Sequence, residues 1–206
     1  MLILMRHGST ALNDQDKVRG QLDIPLNDKG AAEVQKSAQH FAGFPITRII
    51  SSAMQRSQQS AQILAQAIGN GVQVVPVAAT NPWNMGSLQG HSVGADQAKI
   101  NHYYDHPDEP TPGGESYGQF LSRFLPAVLP LIHSPEPHVM VSHNRNMHAL
   151  EAVAAAKGKG VDVGLLKRDP EGHTKPGHVM ILDHTYQPRF LAPDADLAES
   201  PASALH

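Results

Sequence analysis

Short apolar runs and helically spaced apolar positions take turns along the first half of the chain. Leu2-Met5 (LILM) is unbroken and predicts a buried strand. From Asp28 to about Gly43, Ala31, Val34, Ala38 and Phe41 recur at helical spacing, and Gly43 with Pro45 supplies the stop. Arg48-Ser51 predicts a second strand. Ala53-Ile68 follows as a helix with Ala61, Leu64, Ala65 and Ile68 on one stripe, closed by Gly69 and Gly71. Val72-Val75 predicts a third strand. Residues 6–27 and 76–115 are polar and rich in glycine or proline, hence loop, with one helix near Asp96-Tyr104. Ser116-Ile132 reads as a helix that Pro126 and Pro130 are expected to kink or shorten. His138-Ser142 predicts a fourth strand, Arg145-Lys157 a helix, Val179-Asp183 a fifth strand and Arg189-Ala192 a sixth.

Strands alternating with helices imply a three-layer α/β/α sandwich with a mostly parallel sheet. The chain has 206 residues, enough for one well-buried domain and too few for two ordinary ones. Residues 1–192 are expected to form that domain, and 193–206 a flexible tail. In such sheets ligands sit beyond the carboxyl ends of the strands, which is where chemistry is sought.

Composition removes several classes of function. There is no cysteine, so there is no disulfide framework, thiolate zinc site or cysteine nucleophile. A net charge of -3 argues against a nucleic-acid binder, which needs a basic face. The longest apolar stretch, Phe124 to Ile132, carries two prolines and is too short to span a bilayer, and MLILM is too short for a signal-peptide core. A cytoplasmic protein with no membrane or nucleic-acid partner is therefore expected. Thirteen histidines are the one compositional oddity.

Three predicted strands release the chain into cationic or nucleophilic residues at one edge. LILM leads into Arg6-His7-Gly8, RIISS reaches Arg56 within a turn, and HVMVS ends at His143. Two arginines and two histidines converging there suit a dianion, of which phosphate is the commonest. Neutral imidazole is also a nucleophile toward phosphorus, and arginines can supply the positive charge that phosphoryl transfer needs without a metal. No cofactor is expected.

In these residues the sequence resembles the histidine phosphatase superfamily, in its phosphoglycerate-mutase-like branch. Four blocks carry the resemblance in family order: RHGSTALN with DIPLNDKG, SSAMQR ending in Arg56, PGGES at Pro112-Ser116, and VSH at 141–143. The resemblance implies a phosphate-monoester hydrolase in which His7 is phosphorylated during turnover, with Arg6, Arg56 and His143 as its catalytic partners. It also implies that Asn13 and Lys17, or Arg19 in place of Lys17, bind a small phosphorylated substrate, with a phosphoprotein as the alternative; Gly8 and Asn144, next to the two histidines, are expected to join that binding set. Phosphohistidine hydrolysis, phosphate-ligand binding with weak turnover, and a mutase reaction are the rival activities. The family's general-acid glutamate falls on Pro82, and its usual glycine after the second histidine is Asn144. Asp14, Asp16, Asp96 and Glu115 remain as acids outside the family position.

Some motifs have plainer readings. PGGES reads as turn glycines followed by Ser116 as a helix cap, and Trp83 as a loop anchor. His102 and His106, four apart, would share a helix face, and His143 with His148, then His173, His178 and His184, follow. No third clustered ligand accompanies any pair in the sequence, so no metal site is expected.

Overall fold

The computed structural model describes residues 1–42, 44–168 and 174–196. Its centre is β1 (Leu2–Arg6), whose five residues are all buried because both sides of the strand are covered. Further strands are β2 (Arg48–Ser51), β3 (Gln73–Pro76), β4 (His138–Ser142), β5 (Val179–Leu182) and β6 (Arg189–Leu191). They form one sheet in the order β3-β2-β4-β1-β5-β6. The β3–β2, β2–β4 and β4–β1 pairings are parallel, whereas β5 runs antiparallel to both β1 and β6.

Alternation along the central strands divides the core in two. Leu2 and Leu4 join Met140, Met180 and Leu182 on one face, whereas Ile3 and Met5 join Val139, Val141, Val179 and Ile181 on the other. The second face is covered by α2 (Asp28–Ala38) and α3 (Gln55–Ile68) through Val34, Ala38, Ala61, Leu64 and Ile68. The first is covered by α4 (Val93–Asp105), α5 (Tyr117–Ile132) and α6 (Asn144–Ala155), with Ile100, Phe120, Phe124, Val128 and Leu150 as the main contacts. This is the three-layer sandwich the pattern implied.

Several details differ from the sequence reading. The second helix starts at Gln55, not Ala53, because Ser57 and Gln58 take the carbonyl of Met54 and leave 52–54 as a turn. Helix α5 runs unbroken through Pro126 and Pro130. Its buried residues Tyr117, Phe120, Phe124, Val128 and Ile132 repeat every three or four positions. Both prolines lie on the exposed side, so the carbonyls that lose a donor face water. Two short helices were not expected: α1 (Ala11–Asp14) and α7 (Val163–Arg168). Of the expected tail, residues 193–196 are described, and Ala195 packs on the α2–α3 face. Residues 197–206 lie outside the described residues, as does His173.

Candidate active site

Strand register brings the two histidines together. Arg6 pairs with Ser142 at the carboxyl ends of β1 and β4, and the His7 amide donates to the Ser142 carbonyl at 3.0 Å. One residue past each strand, the His7 and His143 rings stand 5.1 Å apart between centroids. β2 ends beside them, and the turn into α3 carries Arg56 into that helix's first turn. His143 is the N-cap of α6. First turns of two helices thus border one point, a placement that favours an anion.

His7 is held in one tautomer. Its Nδ1–H donates to the Gly8 carbonyl at 2.7 Å, which leaves the proton off Nε2. Nε2 in turn accepts from Arg56 Nε at 3.3 Å. Burial pushes the imidazolium pKa well below 6.5, and the positive charge of Arg56, then His143 and Arg6, lowers it further. His143 is lowered in the same way, by burial first and then by Arg56, Arg6, Arg19 and Arg123. Its Nε2 lies 2.7 Å from Ser52 Oγ.

Arg56 is 1% exposed and fixed by two backbone carbonyls, Leu22 and Gly20, each at 2.7 Å. Burial, seconded by Arg19, lowers its pKa to about 9, with Asp23 opposing. It remains charged at neutral pH. Its guanidinium is held by residues of the 15–27 loop, so that loop sets its aim.

These groups open onto a cavity of about 40 Å³. At the roughly 10–15 Å³ that one water-sized sphere needs, it holds about three, comparable to a phosphoryl group. His7, Arg19, Arg56, His143, Asn144 and Arg145 form the polar wall, and Val18, Pro82, Trp83, Met85 and Val93 the apolar one. No carboxylate is among these residues.

The structure redistributes four of the expected site residues. Arg6 is fully buried behind the cavity and does not line it; its Nη1 donates to Asn144 Oδ1 at 2.9 Å and to the Thr174 carbonyl. Its charge acts on the two imidazoles through space. Gly8 is packed under α2, where a Cβ would lie 2.1 Å from the Gly30 carbonyl oxygen, and its amide donates to Ser60 Oγ. Asn13 spends Oδ1 on the amide and hydroxyl of Thr10, capping α1, and faces a separate groove with Ser9 and Lys29. Lys17 forms a bridge with Ser92, and its carbonyl accepts from Arg19. Arg19 and Asn144 do line the cavity.

The alternative acids are all engaged elsewhere or remote. Asp14 pairs with Lys29 and Asn27, Asp96 with His91 and Lys99, and Glu115 with Arg123 and the Asn84 amide. Asp16 is exposed. None of the four borders the cavity, whereas Pro82 does. Sequence reasoning missed Ser52, which touches His143, and Arg145, which lines the cavity. Ser52 stands in the quoted SSAMQR block beside Arg56, so its position carried a signal. Arg145 had none, being one more helix-start cation.

The PGGES segment is structural, as the plainer reading had it. Ser116 Oγ accepts from the Gln119 amide at 3.0 Å, and the Gln119 side chain returns a bond to Ser116. A Cβ on Gly114 would lie 2.3 Å from the Asn84 carbonyl oxygen, so this segment lies flat against the loop that carries Pro82 and Trp83. Trp83 is fully buried, donating Nε1–H to the Glu115 carbonyl at 2.9 Å and packing on Tyr117 and Tyr104.

A parallel-centred sandwich with a histidine pair and a buried arginine at its strand ends defines a class of phosphate-handling proteins. Residues 2–162 match the sequence family described as the histidine phosphatase superfamily (branch 1), and the chain belongs to that superfamily. A Cronobacter sakazakii protein named "Probable phosphoglycerate mutase GpmB" is 31% identical over 156 residues, 71% of each chain. A 2,3-bisphosphoglycerate-dependent phosphoglycerate mutase from Azorhizobium caulinodans is 27% identical over 74% of this chain and 80% of its own. Among solved structures, a mycobacterial glucosyl-3-phosphoglycerate phosphatase complexed with VO3 superposes with a TM-score of 0.70 at 24% identity. It covers 95% of this chain and 98% of its own. Bacillus stearothermophilus YhfR gives a TM-score of 0.71 at 20% identity, covering 96% and 98%. The likeness to these structures is one of fold. No helix among the described residues is long and apolar enough to cross a membrane.

Proposed function

We propose that the protein is a metal-independent phosphatase that hydrolyses small phosphorylated compounds through a phosphohistidine at His7. The observation that carries this reading is the fixed tautomer of His7: Nδ1–H is spent on the Gly8 carbonyl, and the Nε2 lone pair is held at the cavity beside Arg56. In the first step Nε2 attacks phosphorus and the bond to the leaving group breaks, its electron pair going to the leaving atom. Arg56, His143 and the first turns of α3 and α6 stabilise the charge on the transferring oxygens. In the second step water attacks the phosphohistidine, giving phosphate and restoring neutral His7. Two cationic side chains at the cavity, Arg19 and Arg145, add to the field.

Pro82 at the rim narrows the substrate class. An alkoxide leaves slowly unless a proton arrives, and among the described residues no carboxylic acid lines this cavity. Leaving groups that need little help are therefore favoured: aryl phosphates, phosphoanhydrides or the nitrogen–phosphorus bond of phosphohistidine. The naming of sequence relatives as mutases keeps a phosphoryl-returning reaction as the second reading.

The test has two arms. Rapid quench with a labelled aryl phosphate should trap an acid-labile, base-stable phosphoenzyme in the wild type and none in His7→Ala, whose turnover should fall by several orders of magnitude. More than a tenth of wild-type activity in His7→Ala would rule out this nucleophile. Monoesters graded from nitrophenyl to alkyl should then show rates falling steeply with leaving-group pKa, each 1.36 kcal/mol of barrier being about tenfold. A flat series, with dephosphorylation excluded as the slow step, would mean that a hidden acid serves the site. Transfer to a phosphoglycerate acceptor in preference to water would favour the mutase.

A further inference from the structure

On the side of the molecule where α4 ends, the structure supplies what the sequence did not show: a third ligand-type side chain beside His102 and His106. Both histidines lie at the carboxyl end of α4, and the chain then turns so that the Glu109 amide donates to the His106 carbonyl at 3.0 Å. That turn swings the Glu109 carboxylate back toward the helix. One imidazole nitrogen from each histidine and one carboxylate oxygen lie within 4.8 Å of one another. We propose that His102, His106 and Glu109 form a surface site for a borderline divalent cation of the zinc type, separate from the catalytic cavity.

Four independent features support it. The donor set, two imidazoles and one carboxylate, is one that zinc accepts with water in its remaining position. Magnesium and calcium, which want oxygen ligands, are disfavoured. His106 Nδ1–H donates to the His102 backbone carbonyl at 2.9 Å, leaving its Nε2 lone pair outward. A carbonyl behind the ring is the usual support of a metal-bound histidine. His102 Nε2 already lies 3.0 Å from a Glu109 carboxylate oxygen, and the two imidazoles stack at 4.2 Å between centroids. The rings are therefore gathered, not splayed into solvent. Finally, the carboxyl end of a 13-residue helix carries partial negative charge, which attracts a cation.

Tetrahedral zinc with ~2.0–2.2 Å bonds needs donors roughly 3.4 Å apart. Closing from 4.8 Å takes small side-chain rotations at exposed positions, with no movement of the core. The cation would fasten the 106–109 turn to α4. The same turn braces α5, where the Gly118 amide donates to the Pro107 carbonyl at 2.7 Å.

The experiment is a calorimetric titration of ZnCl2 into the full-length protein at pH 7.5, beside MgCl2 and the variants His106→Ala and Glu109→Gln. Expected is one micromolar site per chain for zinc, none for magnesium, and at least ~tenfold weaker binding in each variant. Cobalt should give the visible absorption of a four- or five-coordinate ion in the wild type and lose it in His106→Ala. Activity toward an aryl phosphate should be the same with and without chelator, which separates this site from the catalytic one. Equal zinc affinity in wild type and both variants, or binding only at millimolar metal, would overturn the assignment.

Discussion

His7 and Arg56 are each defined by what holds them more than by what they are. A histidine buried beside arginines cannot stay protonated at neutral pH, and a carbonyl on Nδ1 decides which nitrogen is left bare. Arg56 makes the complementary case. Its pKa is lowered to about 9, so the free enzyme loses this positive charge as pH rises through that value. Because kcat/KM reports ionisations of the free enzyme, it should turn down near pH 9, well before an ordinary arginine would titrate. Arg56→Gln should lose that alkaline limb along with ~10²–10³ of the rate. A wild-type profile level well past pH 9 would show that Arg56 keeps its proton. On the acid side, His7 has a depressed folded pKa. Nε2 should thus stay unprotonated as pH falls through 6.5, and the contribution of neutral His7 to stability is lost only below that value.

Elements were legible where the hydrophobic signal was long and one-sided. β1, β2 and β4 are short apolar runs, and α2, α3 and α5 carry clear stripes, so all six could be read. α1 and α7 could not, because a helix of four or six residues has too few positions to show a period. The local role of Asn13 was hidden for that reason: its side-chain oxygen accepts from Thr10 and caps α1. Nor could a linear pattern reveal how closely elements meet. At the start of α2, a Cβ on Gly30 would lie 2.1 Å from the Ser9 carbonyl oxygen, facing the equally tight Gly8. Gly30→Ala should push α2 off the 7–9 segment, destabilising the fold by about 1–3 kcal/mol and misaligning His7. Urea unfolding and kcat would report the two effects. If stability dropped with kcat unchanged, the 7–9 segment would be positioned by something other than α2.

At the level of the molecule, the convergence of Arg6, His7, Arg56 and His143 at one sheet edge was readable from strand–helix alternation. Which of them line the cavity was not, because that depends on side-chain direction and on the 76–90 loop. Glu109 was invisible for a related reason, since its approach to His102 depends on a turn and not on a repeat. The sheet order has one more result. β4 comes only at His138–Ser142, yet it lies between β1 and β2, two strands made more than eighty residues earlier. The edge that gathers His7, Arg56 and His143 therefore does not exist in any nascent chain shorter than about the first 143 residues. Until β4 is inserted, β1 and β2 each present an unpaired flank that another chain could occupy. A topology so dominated by distant pairings folds slowly. Recovery of activity after dilution from denaturant should trail recovery of helical circular dichroism, marking the moment when β4 enters the middle of the sheet.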